Sequence, residues 1–393
     1  MKLEQKLNEL PLTKSKPKTL ASLFGKEEIM PMWVADMDFQ IATPIQNALI
    51  ERISNSGFGY EYKPDAFFVA QKKWYAQRYN LDLIKEQVLY SPTITTSISI
   101  IIEQCTSQGD GVIIQPPVFM EFRDVIRNTK RRITKNPLKL IGKQYQVDFK
   151  DLEDKAKIGN NKVLIICNPH NPVGRVWTKE ELTEIVRICK QNDLLLISDE
   201  IHKDIILFDH VFTSALSFVD TYDNILVCTS EAKTFNLCGI SDSMAIIPNQ
   251  ELRNMIRAAF KKYNLGRTNA LTRVALQAAY TEGWLWLNDT ITTIENNVRE
   301  IENQLETSKI QLIRPEGTYQ LWLDFRAVFS DTKEMFTTIT QDAGIGLNAG
   351  HWFGREGALF MRMNIATSLD TCLSSIKKIN QVARDVARRN ESH

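Results

Sequence analysis

No block of basic residues stands out in this chain: 48 Lys and Arg are balanced by 47 Asp and Glu, leaving a formal net charge of +1. That provides no electrostatic footprint for nucleic acid or an anionic membrane. The densest basic triplet, Lys130-Arg131-Arg132, reads as a solvated face. No apolar run approaches the length of a bilayer span. No repeat and no low-complexity tract is visible. The six cysteines (Cys105, Cys167, Cys189, Cys228, Cys238 and Cys372) include no pair with metal-binding spacing. Several lie in apolar, strand-like runs, which suits buried thiols in a reducing compartment. The opening residues 1–6 are too polar for the apolar core of a secretory signal. These absences point to a cytoplasmic protein whose partners are neither nucleic acid nor membrane, with no metal site.

What is present describes a sizeable core: 43% of residues are apolar and 24% charged. At 393 residues the chain exceeds a typical single domain. Residues 1–30 are polar, carry Pro11 and Pro17, and read as an arm rather than a core element. The segment Met32-Trp33-Val34-Ala35-Asp36-Met37-Asp38-Phe39 then interrupts an apolar stretch with two acids. Helical spacing follows at 44–52 and 65–79, around a Gly57-Phe58-Gly59-Tyr60 loop. Ser91-Pro92-Thr93-Ile94-Thr95-Thr96 begins a helix running to about Cys105. Its free amide groups could hold an anion, as could those of any capped helix.

Short apolar runs recur at 111–115, 163–167, 194–198 and 225–227 without strict polar alternation. They describe strands buried on both faces of a parallel sheet. Helical segments fall between them, the clearest at 178–191, where Thr178 and Glu181 form a capping box. The alternation implies an α/β fold, a doubly wound, mainly parallel sheet flanked by helices. Beyond Gly283 the pattern changes to a long helix at 284–308, a strand at 318–324, a helix at 332–343, a strand at 359–365 and a helix from Leu369. The expected organisation is an arm at 1–44 packing with a smaller α+β domain at 285–393, and a large domain at 45–284.

Three strand ends carry polar groups. After 163–167 comes Asn168-Pro169-His170-Asn171-Pro172-Val173-Gly174, whose Asn-Pro steps make a rigid turn and hold Asn171 over the sheet edge. After 194–198 comes Asp199-Glu200-Ile201-His202. A carboxylate there needs a cation, and a protonated pyridine nitrogen is one; taken alone, Asp199 also reads as an ordinary structural residue. After 225–227 comes Thr229-Ser230-Glu231-Ala232-Lys233-Thr234-Phe235-Asn236. Open α/β sheets bind ligands at such ends. A lysine amine in suitable surroundings forms Schiff bases with carbonyl compounds, pyridoxal phosphate (PLP) included. Ser230 can turn its hydroxyl toward a phosphate, although most Ser-x-x-Lys strings are surface loops. Together, Asn, Asp and Lys at successive strand ends, with a helix start for phosphate, match PLP.

In these motifs, their order and approximate spacing, the chain resembles fold-type I PLP enzymes of the class I/II aminotransferase superfamily over roughly residues 30–370. The resemblance implies that Lys233 holds PLP and later moves the Cα proton, and that Asp199 pairs with the pyridinium nitrogen. Asn171 would bond the phenolic oxygen, with His202 nearby, and Phe119 would stack on the ring. The backbone of Ile94 and Thr95 and the Ser230 hydroxyl would hold the phosphate. Tyr60 would reach the neighbouring subunit's phosphate, in a homodimer with shared active sites. Arg362, in Arg362-Met363-Asn364-Ile365-Ala366, would grip the substrate carboxylate, with Asn171 and Asp38 also on the substrate side.

Many aminotransferases carry a phosphate-binding arginine eight residues after the lysine; here that position is Ser241. This difference, His202 and the Trp33–Phe39 string resemble the cystathionine β-lyase/C–S lyase branch. The implied reaction is α,β-elimination of cystathionine, another cysteine S-conjugate or L-cysteine to thiol, pyruvate and ammonia. Two alternatives stand beside it: an aminotransferase that needs a 2-oxo acid, and a regulatory or binding protein that retains a PLP site.

Overall fold

Apolar runs too short for helices and rich in Ile, Leu and Val build the centre of this protein. The computed structural model describes residues 10–62 and 64–391; the polar opening 1–6 and the rest of 1–9 lie outside the described residues. Seven strands form one sheet: β1 (Val88–Ser91), β2 (Gly111–Ile114), β3 (Arg132–Lys135), β4 (Asn161–Cys167), β5 (Leu195–Asp199), β6 (Ile225–Thr229) and β7 (Ser243–Ile246). Their spatial order is β1-β7-β6-β5-β4-β2-β3. Only β7 runs against its neighbours; the pairings among β3, β2, β4, β5 and β6 are parallel.

Successive residues of the central strands face two different cores. Leu164, Ile166 and Leu196 enter one, and Val163, Ile165, Leu195 and Ile197 enter the other. Both faces are dry, which is why these runs show no polar alternation. Each such side chain contributes about 1.5–3 kcal/mol on burial. Helices cover both faces. Ile94–Cys105 starts from Thr93, whose hydroxyl accepts the Thr96 amide. Lys179–Gln191 has the expected reciprocal capping box of Thr178 and Glu181.

A second, antiparallel sheet joins Gln311–Ile313, Gln320–Asp324, Phe360–Asn364 and Asn348–Ala349. The helices Trp284–Leu305 and Leu369–Glu391 pack on each other beside it. No helix among the described residues is long and apolar enough to cross a membrane.

Two expectations need correction. The stretch before residue 30 is more than a polar arm: helix Pro17–Phe24 buries Leu20 and Phe24, and Met30–Pro31 pairs with Ile345–Gly346. Lys14 is buried because Asp36 and Asp38 both bond its ammonium. Nor is Arg131 simply solvated. Its guanidinium donates to the Thr106 hydroxyl at 2.8 Å and the Thr106 carbonyl at 2.6 Å, closing the C-terminal end of Ile94–Cys105.

Below the edge formed by β5 and β6, a buried ionic group ties the two following turns together. Lys203 Nζ lies 3.2 Å from Glu231 Oε1 and 3.0 Å from Thr229 Oγ1. Asp204 accepts from Thr234 Oγ1 at 2.8 Å and pairs with Arg78 Nε at 2.9 Å. Lys203 and Glu231 are each 1% exposed, so neither charge can be left alone cheaply. Lys203→Met should therefore cost about 3–5 kcal/mol in denaturant titration. Adding Glu231→Leu should recover much of that loss, and equal losses in the single and double variants would refute the pairing.

Candidate active site

Three parallel strands end side by side, with Cys167 opposite Asp199 and Asp199 opposite Cys228. The segments that leave these ends surround a cavity of about 290 Å³. Seven of the expected site residues line it: Lys233, Asp199, Asn171, His202, Phe119, Ile94 and Arg362.

The turn carrying Asn171 is built to close tightly. Both Asn-Pro bonds are cis, and the Gly174 amide donates to the His170 carbonyl at 2.7 Å. Gly174 has φ +75°, and a Cβ there would stand 2.8 Å from Pro315 Cα, so glycine alone fits. Asn171 Oδ1 accepts from Arg362 Nη1 at 2.9 Å. Its Nδ2 has no partner among the described residues and is left to donate into the cavity.

Asp199 is 3% exposed, and among the described residues its carboxylate accepts one hydrogen bond, from the Ile201 amide at 3.1 Å. Burial pushes its carboxyl up to about 7, while the Ile201 amide and the Lys233 charge pull the other way. A buried carboxylate this poorly compensated suits a cationic N–H. His202, one turn on, is held near 3 by burial and by the nearby charges of Lys233 and Arg362. It is a neutral imidazole, set edge-on to Tyr319 at 5.9 Å, with no partner for Nδ1 among the described residues.

Lys233 is half-buried in the turn after β6, and its Nζ donates to the Ala35 carbonyl at 2.6 Å. Cys238 Sγ lies 3.4 Å from the same nitrogen. Cys238 is exposed and Cys105 half-buried, whereas the other four cysteines are buried as expected.

Arg362 is 4% exposed yet has no carboxylate within ion-pair distance among the described residues. Its Nη2 donates to Asn348 Oδ1 at 2.7 Å and to the Trp33 carbonyl at 2.8 Å, and its Nε has no partner among the described residues. Burial lowers its pKa to about 10. An unpaired buried guanidinium is a receptor for an anion.

Four expected site residues are not on the cavity wall. Asp38 turns away, because its carboxylate is taken by Lys14. Ser230 donates its hydroxyl proton to the Asp242 carbonyl at 2.7 Å, with Ser241 Oγ 3.2 Å away. Thr95 sits in the first helical turn, where the amides of Ile94 and Thr95 have no acceptor among the described residues. Tyr60 is fully exposed, under the Arg267 guanidinium.

Sequence reasoning missed other parts of the wall. Trp33, Val34 and Ala35 line the cavity and are strapped down from behind. Asn364 Nδ2 holds the Val34 carbonyl at 2.6 Å, and Asn236 Nδ2 holds the Met37 and Phe39 carbonyls at 3.0 Å. The Asn in Arg362-Met363-Asn364 was the available signal. Asn348, in a two-residue strand, offers none. Glu121 is a further carboxylate on the wall. Among the described residues, no group of three or more His, Cys, Asp or Glu is arranged to hold a metal.

The model of the family described as aminotransferase class I and II matches residues 53–379. The cystathionine beta-lyase PatB of Bacillus subtilis (strain 168) is 36% identical over 360 residues, covering 91% of this chain and 93% of that protein. Cystalysin from Treponema denticola, solved with a pyridoxal 5'-phosphate cofactor, superposes with a TM-score of 0.92 at 31% identity, covering 98% of each chain. The PLP-bound C–S lyase of Staphylococcus hominis, in complex with L-cycloserine, has a TM-score of 0.88 at 27% identity, covering 98% of each chain.

The Asp199 environment makes a signed prediction for ligand-free protein. Its carboxyl titrates near 7 when folded and at about 4 when unfolded. The folded state therefore binds the extra proton between these values, so stability falls as pH rises through this window and stays lost above it. Asp199→Asn should be more stable than the parent above pH 7, with the difference shrinking toward pH 4. A difference in urea midpoint that does not vary with pH would contradict this.

Proposed function

The chain belongs to the class I and II aminotransferase family, and on that premise we propose that it is a PLP-dependent carbon–sulfur β-lyase acting on cysteine S-conjugates. The observation that carries this reading is one cavity shared by a lysine amine, an uncompensated buried carboxylate and an unpaired buried guanidinium. The likeness to PatB and to cystalysin supports the lyase branch.

The residues present fit PLP. Lys233 would hold it through its amine, Asp199 would meet its ring nitrogen, and Asn171 Nδ2 would donate to its phenolic oxygen. Phe119 would cover one face of the ring. The unbonded amides of Ile94 and Thr95 would receive the phosphate, with Ser230 and Ser241 hydroxyls near the position where an arginine is absent. When bound, PLP supplies an electron sink for the charge left as a Cα–H bond breaks.

The chain's own groups do the rest. Arg362 takes the substrate carboxylate, with Asn171 and Asn348 fixing the plane of its guanidinium. Lys233, once its amine is free, removes the Cα proton as general base. The Ala35 carbonyl gives that amine a fixed resting contact. His202, neutral across the physiological range, adds no competing charge. The C–S bond then breaks with its electron pair on sulfur, the sulfur takes up the proton that Lys233 removed, and the thiol leaves. The remaining aminoacrylate takes up water to give pyruvate and ammonia.

The working unit is a homodimer with shared sites. Tyr60 would reach the partner's phosphate, and the exposed Ile50, Ile53, Phe58, Tyr62 and Val69 offer apolar surface for the contact. The unpaired cysteines agree with a cytoplasmic setting.

Cystathionine supplied without a 2-oxo acid should yield pyruvate in step with free thiol. Amino transfer that appears only after a 2-oxo acid is added would overturn the lyase reading in favour of an aminotransferase. Lys233→Ala should lower turnover by about a hundredfold or more; near-parental rates would remove the lysine from its role. Arg362→Lys should raise KM by about tenfold through loss of the guanidinium fork, and an unchanged KM would argue against carboxylate binding there.

A further inference from the structure

One charged group on the cavity wall has no task in this chemistry. Glu121 opens the helix Glu121–Asn128, two residues after Phe119, and lines the same cavity as Lys233, Asp199 and Arg362. Its carboxylate makes no hydrogen bond and no ion pair among the described residues. The nearby cation in sequence is committed elsewhere, since Arg123 donates to the Trp352 carbonyl. Burial and Asp124 both push the Glu121 carboxyl upward, and Lys233 pulls it back. Glu121 in turn raises the carboxyl of Asp199. Its charge is therefore felt at the reacting end of the cavity.

The cavity thus carries an unpaired anion at Glu121 and a buried cation at Arg362 whose Nε lacks a partner. Phe119, Met120 and Val34 supply apolar wall. A cysteine S-conjugate held by its carboxylate at Arg362 and by its amino end beside Lys233 has one arm left, the substituent on sulfur. An apolar arm gains from Met120 and Val34 alone. An arm ending in an ammonium also gains from Glu121, and an arm ending in a carboxylate is repelled by Glu121.

We propose that Glu121 is a specificity-determining residue that favours cysteine thioethers whose leaving thiol carries a cationic group. This rests on the lyase reading for its substrate class. It concerns a side chain to which that reading gives no part.

The test compares PLP-loaded parent and Glu121→Gln enzymes on S-(2-aminoethyl)-L-cysteine, S-propyl-L-cysteine and S-carboxymethyl-L-cysteine, following pyruvate. Glu121 is exposed at the rim of the cavity, so the expected effect is modest. The aminoethyl-to-propyl ratio of kcat/KM should fall about fivefold in Glu121→Gln, chiefly through KM. The carboxymethyl-to-propyl ratio should rise, and Glu121→Asp should keep most of the parental preference. Glu121→Lys should reverse the order of the two charged probes. Unchanged ratios, or an equal loss on all three probes, would overturn the proposal.

A second arm separates this from the lyase reading. Calorimetric binding of the same three probes to PLP-loaded Lys233→Ala protein, with and without Glu121→Gln, requires no turnover. Charge-ordered binding that Glu121→Gln erases, with no pyruvate from the parent enzyme, would sustain Glu121 and sink the lyase. Pyruvate formation with binding indifferent to charge would do the reverse.

Discussion

The register of three adjacent parallel strands is the constraint on which the site depends. Cys167, Asp199 and Cys228 are neighbours across that register, so the Asn171 turn, the Asp199–His202 turn and the Lys233 turn leave one edge together. A slip of one residue would exchange the side chains packed in the two cores, each fitted to its own neighbours. The site's geometry is thus secured largely by hydrophobic residues behind the cavity wall. The ionic group beneath that edge adds a second fastening, because Lys203, Asp204 and Glu231 belong to the very turns that carry Asp199 and Lys233.

Two kinds of buried charge lie within this small region. Lys203, Asp204 and Glu231 are mutually compensated, and Asp204 keeps its carboxyl low through Lys203 and Arg78 despite full burial. Asp199 and Arg362 are equally deep but uncompensated, and both are pushed toward their neutral forms. Depth alone does not explain the contrast; the presence of a protein partner does. Uncompensated groups cost stability until a ligand supplies the missing charges, which links ligand binding to folding stability. The cavity is in this sense a complementary mould, anionic where a ring N–H would sit and cationic where a carboxylate would.

The far wall shows how a loop can be made rigid. Residues 33–39 include little regular structure, yet their carbonyls are held by Asn364, Asn236, Arg362 and Tyr319. Lys14 clamps Asp36 and Asp38 from outside. The two acids of this string act as anchors for the arm, while its Trp33 and Ala35 carbonyls meet Arg362 and Lys233 at the site. That reverses the sequence-based expectation for Asp38, because a carboxylate beside a buried ammonium is more stable there than facing a cavity already served by Asp199.

Local chemistry was legible in the chain wherever a rule acts over a few residues. The doubly buried runs, the Thr178–Glu181 capping box and the polar groups just past the strand ends all belong to that class. Lys233, Asp199, Asn171 and Arg362 could be named because each sits in a motif whose neighbours constrain it. Partnerships across the fold were not legible. β7, only four residues long, becomes a strand because it is wedged between β1 and β6. Arg131 finds a helix end, Ser230 turns toward Asp242, and Asn348 meets Arg362 from a strand of two residues. The sequence by itself determined which residues end the strands and what chemistry they can do, since apolar patterning and turn residues act locally. Only the tertiary structure decided which of those groups share a cavity and which charges there go unpaired, because compensation of a buried charge depends on neighbours far away in the chain, as Asn171 is from Arg362.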